Sequence, residues 1–166
     1  MTRLARQARG WFVLVAAWSM AVGAQAPLAE VHGTSDTFAG HGIAIAWGVQ
    51  RGATESATVV VLRIAADPAR FTHVAVDGID PFSKERQPFT AERPLGAFAD
   101  IRIPRARFAD FPRTEVRFSK PGVPPPLIVY YLGVPDTTPE FPTQSALEAH
   151  LAQSLVRLQA DMKKTP

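Results

Sequence analysis

The residues with chemical potential fall into three groups. His32, Asp36 and His41 lie close together near the start of the chain, and imidazole and carboxylate are ligand types suited to divalent metals. Their spacing matches no fixed template such as His-Glu-x-x-His, so the plain alternative is polar residues in turns. His73, Asp77 and Asp80 form the second group. A histidine that converged with carboxylates in a cleft would support general acid–base work, the need of an envelope glycan or peptide hydrolase or lyase. Asp77 and Asp80 offer oxygen ligands, but an EF-hand loop needs more carboxylates at fixed offsets.

The third group is cationic. Arg102, Arg105, Arg107, Arg113 and Arg117 crowd a stretch, Lys84 to Lys120, that holds nine basic and five acidic residues. Arg105 and Arg107 share a face if extended, as do Arg113 and Arg117. Such a surface suits an anionic partner: lipid headgroups, an acidic glycan or an acidic protein. The alternative is a sheet edge kept soluble and unpaired by charge.

Nucleophile motifs are missing. The sequence contains no Gly-x-Ser-x-Gly, no Ser-x-x-Lys and no Gly-x-x-x-x-Gly-Lys phosphate loop. Ser83-Lys84 and Ser119-Lys120 are adjacent pairs, and strand neighbours point to opposite faces. With no cysteine, thiol catalysis, zinc–thiolate sites and iron–sulfur clusters are excluded. No catalytic residue and no cofactor is assigned.

The elements that must position these residues are mostly strands. In Ile43 to Val49 the large residues take every odd position and the partners are small. That period of two predicts a strand with one face in a core and the other hugging a close neighbour. Trp47 reads as a core anchor. Thr58 to Ile64 is apolar on both faces and belongs mid-sheet. Phe71 to Val76, Phe98 to Ile103, Thr114 to Ser119 and Leu127 to Leu132 read as further strands. Phe82 to Pro94, punctuated by proline, reads as an edge strand or loop. Pro27 to Gly42 is expected to be irregular, and Pro121 to Pro126 and Val134 to Pro142 are expected to be connectors.

The period changes at the end. Leu147, Leu151, Leu155, Leu158 and Met162 form one helical stripe, and Ser145 with Glu148 reads as a capping box. The fold class expected is all-β, a sandwich or small barrel, with one C-terminal amphipathic helix. An immunoglobulin-like label would rest on strand count alone.

Residues 1–26 set the compartment. Arg3, Arg6 and Arg9 precede an uncharged run from Trp11 to Val22, and Ala24-Gln25-Ala26 ends it. This is the pattern of a secretory signal peptide cleaved after Ala26, the rival being a retained membrane anchor. The domains expected are a signal peptide at 1–26, a β-sandwich-like domain at 27–142 and a helix at 143–164 packed on it. Eighteen basic against fifteen acidic residues give +3; without the leader arginines the balance is fifteen against fifteen. A neutral mature chain argues against a nucleic-acid role.

The expectation is a periplasmic or secreted soluble domain, more a binding or protein-interaction module of the bacterial envelope than an enzyme. Its partner would be an envelope protein or an anionic glycan or lipid, with no membrane span after cleavage. The basic stretch and the loop Gly133 to Pro142 are the surfaces expected to make contact. The alternatives are the hydrolase or lyase and a metal-binding periplasmic protein.

Overall fold

The computed structural model describes residues 29–32, 35–111, 113–131 and 139–164. Residues 1–28, where the signal peptide is expected, and 132–138, most of the loop after Tyr131, lie outside the described residues. The described residues form two sheets, one of five strands and one of four. The first, sheet A, has the order β1 (Ala29–His32), β8 (Val123–Tyr131), β7 (Arg113–Lys120), β4 (His73–Ile79) and β5 (Arg86–Pro94). The second, sheet B, runs β6 (Ala99–Pro104), β3 (Val59–Ala66), β2 (Ile43–Gln50) and β9 (Glu140–Phe141). Both sheets are open, so the small-barrel alternative does not hold. Three helices join them: α1 (Ser35–Gly40), α2 (Arg105–Ala109) and α3 (Gln144–Met162).

Strand parity explains the core. Ile43, Ile45 and Val49 of β2, Val60, Leu62 and Ile64 of β3, and Ile101 and Ile103 of β6 turn inward from sheet B. Val74 and Val76 of β4 and Val116 and Phe118 of β7 meet them from sheet A. Register fixes this: Val76 pairs with Val116 and Val74 with Phe118 across the two strands. Trp47 is half-buried against this cluster rather than enclosed by it.

The even positions of β2 serve a second contact. Ala46 with Val61 of β3 packs on Leu147 and Leu151 of α3, and Ala44 with Ala65 packs on Leu155. The leucine stripe thus covers the outer face of sheet B, and the small face of β2 admits it closely. At Gly48 the approach is tightest, because a Cβ there would stand 2.6 Å from Leu147 Cδ1. Gly48→Ala is expected to lower stability by about 1–3 kcal/mol through overpacking. An unchanged urea midpoint would show that α3 can ride up without loss.

Several sequence expectations are corrected. The helix is capped by Thr143, whose side chain accepts from Ala146 N at 3.2 Å; Ser145 is inside the helix, and Glu148 instead meets Arg63. The segment read as irregular before Gly42 contains β1 and α1, and β1 pairs in parallel with β8. The proline run does not end as a connector. Strand β8 begins at Val123 and passes through it, with the register against β7 shifting between Phe118 and Lys120. In β5, Pro88 and Pro94 sit on an edge strand whose register against β4 shifts twice, where proline is tolerated.

Candidate functional site

The outer face of sheet A carries an unusual charge arrangement. Asp77 of β4 and Glu115 of β7 are direct cross-strand partners, and they are only 4% and 2% exposed. Two adjacent buried carboxylates are costly unless cations meet them. Arg117 donates to Asp77 Oδ2 at 2.8 Å, and its Nε stands 3.6 Å from Glu115 Oε1. Arg86 Nε donates to the same Glu115 oxygen at 2.8 Å. Two arginines therefore balance two carboxylates. The alternation of Glu115 and Arg117 with Val116 and Phe118 showed these side chains facing away from the core. It did not show that β4 pairs with β7.

This arrangement decides the fate of the second sequence group. His73 and Asp77 share a face but lie four residues apart, about 13 Å along a strand. His73 Nδ1 bonds its neighbour, Thr72 Oγ1, at 3.0 Å. Asp80 lies beyond the far end of β4, in the turn toward β5. The three do not converge. The Ser-Lys neighbours diverge as well: Ser119 Oγ donates to Glu92 while Lys120 Nζ reaches Ala69 O.

The five arginines do not share one face. Arg102 of β6 meets Gln50 Oε1 at 3.0 Å and Glu148 at 3.7 Å. Arg105 of α2 meets Glu140 at 2.8 Å and Glu55 at 3.5 Å. Arg107 donates to Pro88 O at 2.8 Å and lies over the Phe89 ring. Arg113 opens β7 opposite Ile79, and Arg117 holds the carboxylate pair. A further arginine outside the sequence groups, Arg63, is buried under α3. It makes a two-pronged contact with Asp100, at 2.8 and 2.6 Å, and also meets Glu148. The Asp100 carboxylate, and then Glu148, hold its guanidinium above the usual arginine range against the opposing effect of burial.

For the first group, His32 ends β1 and Asp36 lies in α1, with side chains outside the described residues. His41 is half-buried in the turn after α1. Among the described residues no three histidine, aspartate or glutamate side chains gather as a metal-holding group.

The feature that sequence reading missed is the tip of the β4–β5 hairpin. Phe82 there is 92% exposed. Its turn is nevertheless fixed. Asp80 Oδ1 accepts from Phe82 N at 2.8 Å and Ser83 N at 2.7 Å. Asp80 N donates to Glu85 O, and Lys84 N donates to Asp80 O. Ser83 Oγ accepts from Glu85 N. Lys84 adopts a φ of +63°, a left-handed backbone that costs a side-chain-bearing residue about 1–2 kcal/mol. The hairpin base is braced by Phe89, stacked 5.9 Å from Phe108 and edge-on to Phe111 at 5.5 Å. The Asp80-Pro81 turn signal was visible in the sequence; exposure of the next residue was not.

Comparison with protein-family models, curated proteins and solved structures returned no match.

The tip should respond to acid. The backbone N–H of Ser83, then that of Phe82, hold the Asp80 carboxyl below the usual carboxylate range. Folding thus favours its ionised form. The turn's contribution is present above the ordinary aspartate pKa and is lost as pH falls through the lower folded value. The amide resonances of Phe82 and Ser83 are expected to move together with a midpoint below 3.8. A midpoint at or above that value would contradict these bonds.

Proposed function

We propose that this chain is an exported β-sandwich, periplasmic or secreted, that acts as a non-enzymatic binding module of the bacterial envelope. Its contact surface is the β4–β5 hairpin tip. One observation carries the reading: Phe82 stands 92% exposed on a turn whose backbone is already fixed. An aromatic side chain on a pre-ordered loop loses little freedom on docking, and such residues dominate interface energetics.

Two further observations support binding over hydrolysis. The buried carboxylates Asp77 and Glu115 are engaged by arginines, and His73 lies away from both ends of a usable acid–base pair. Four of the five arginines first expected to meet an anionic partner, Arg102, Arg105, Arg107 and Arg117, hold Gln50, Glu148, Glu140, Pro88 and Asp77. That favours the hairpin tip over a basic surface. No helix among the described residues is long and apolar enough to cross a membrane.

The test has two parts. Fractionation with N-terminal sequencing should recover an exported chain beginning at Pro27. A photo-crosslinking residue at position 82 should then capture a defined species in intact bacteria. The same probe at Gln153, exposed on α3, should not. Equal capture at both positions, or none at 82, would sink the reading.

A further inference from the structure

A cleft of about 460 Å³ lies beside the end of α3, within the size range of small-ligand sites. Ala66, Asp67 and Pro68 line it from the β3 end, and Gln159, Met162 and Lys163 line it from the helix. Its walls are apolar in part and carry one acidic and one basic side chain.

The tip is its counterpart in charge. Lys84 and Glu85 follow Phe82 on the turn. Lys84 Nζ donates to Pro81 O within the turn; on docking it would exchange that neutral acceptor for Asp67 and the carbonyl end of α3, where cations are favoured. Glu85 suits Lys163. Phe82 would enter between them.

Topology sets the two at opposite ends. The chain leaves β3 at Ala66, passes the cleft at Asp67 and Pro68, and crosses to sheet A. Strand β4 then runs away over seven residues, about 23 Å, before the hairpin turns. A tip therefore cannot fill the cleft of its own chain. A knob at one end and a hole at the other make a heterologous contact, which propagates unless rotation closes a ring.

We propose that the partner of the hairpin tip is a second copy of this chain, with Phe82 of one copy seated in the Asp67–Lys163 cleft of the next. This rests on the binding-module reading and names its partner. A bilayer is the weaker occupant, because one phenylalanine without a net cationic flank gives little membrane hold.

Sedimentation of the processed, exported protein decides the question. Its average mass should rise between about 10 µM and about 1 mM, the range of a weak contact. Phe82→Ala and Gln159→Trp, which fills the cleft from the helix, should each lower the association constant at least tenfold. Neither touches the core, and unchanged circular dichroism would confirm folding. Mixed equally, the two variants retain one intact contact between them and should stop at a dimer. A wild type that stays monomeric, or a Phe82→Ala variant that associates as before, overturns the proposal.

The probe at position 82 separates the two readings. Adducts at twice the subunit mass support self-docking. Adducts with a different protein, or monomers that co-sediment with anionic vesicles through Phe82, overturn it while leaving a binding module. No adduct of any kind removes both.

Discussion

Replacing Arg117 with leucine is expected to destabilise the protein by about 3 kcal/mol, the low end of the range for breaking a buried ion pair. The low end applies because Arg117 is itself 38% exposed, so water reaches part of the gap. What remains is the larger problem. Asp77 and Glu115 stay behind on neighbouring strands, 4% and 2% exposed, and the Arg86 contact on Glu115 must offset two charges. The informative control is the double variant Arg117→Leu with Asp77→Leu. It removes a matched cation and anion and leaves Glu115 with Arg86. Stability should return to within about 1 kcal/mol of wild type, since apolar replacements of buried pairs are often neutral. Urea titration of the three proteins reads the result. A double variant no more stable than the single would show that Arg117 acts through its alkyl packing and not through its charge.

The second large effect belongs to the helix. Leu151 is fully buried between α3 and the small face of sheet B. Leu151→Ala should cost about 2–5 kcal/mol, the usual range for a leucine cavity. The mode of unfolding matters as much as the size. Trp47 lies on β2, and its carbonyl oxygen is 3.2 Å from His150 Nε2 of α3. Helix ellipticity and Trp47 fluorescence should therefore fall together in one transition, shifted to lower urea. Helix signal lost first, with fluorescence unchanged, would mean that α3 is a detachable layer.

Much of this layering was legible in the sequence. The alternation in Ile43 to Val49 gave both faces of β2, including the small one that receives α3. The stripe from Leu147 to Met162 gave the helix and the side it buries. Proline placed β5 on an edge. Other elements lacked such a signal. Strand β1 has four residues and β9 two, too few for periodicity, and each exists only because a distant strand supplies parallel partners. The strand through Pro124 to Pro126 defeats propensity, because the register shift there absorbs the prolines.

The candidate site was less legible for a related reason. A charged residue discloses its type but not its partner. Glu148 looked like a capping residue until β3 brought Arg63 beneath it. The five arginines looked like one surface until two sheets separated them. Phe82 looked like part of an edge segment. Only the hydrogen bonds of Asp80 show that it is held out on a fixed turn.

The parallel pairings also govern the order of folding. Ala29 pairs with Leu127 in sheet A, and Val49 pairs with Glu140 in sheet B. Each sheet is thus completed by residues nearly a hundred positions apart. Loops of that length close slowly, and topologies rich in them fold late. Sheet A cannot finish until β8 is free to join, and sheet B cannot finish until β9 is. A chain emerging from a ribosome or a translocation pore would leave both layers unclosed until β8 appears, and β9 would complete the second layer soon after the first.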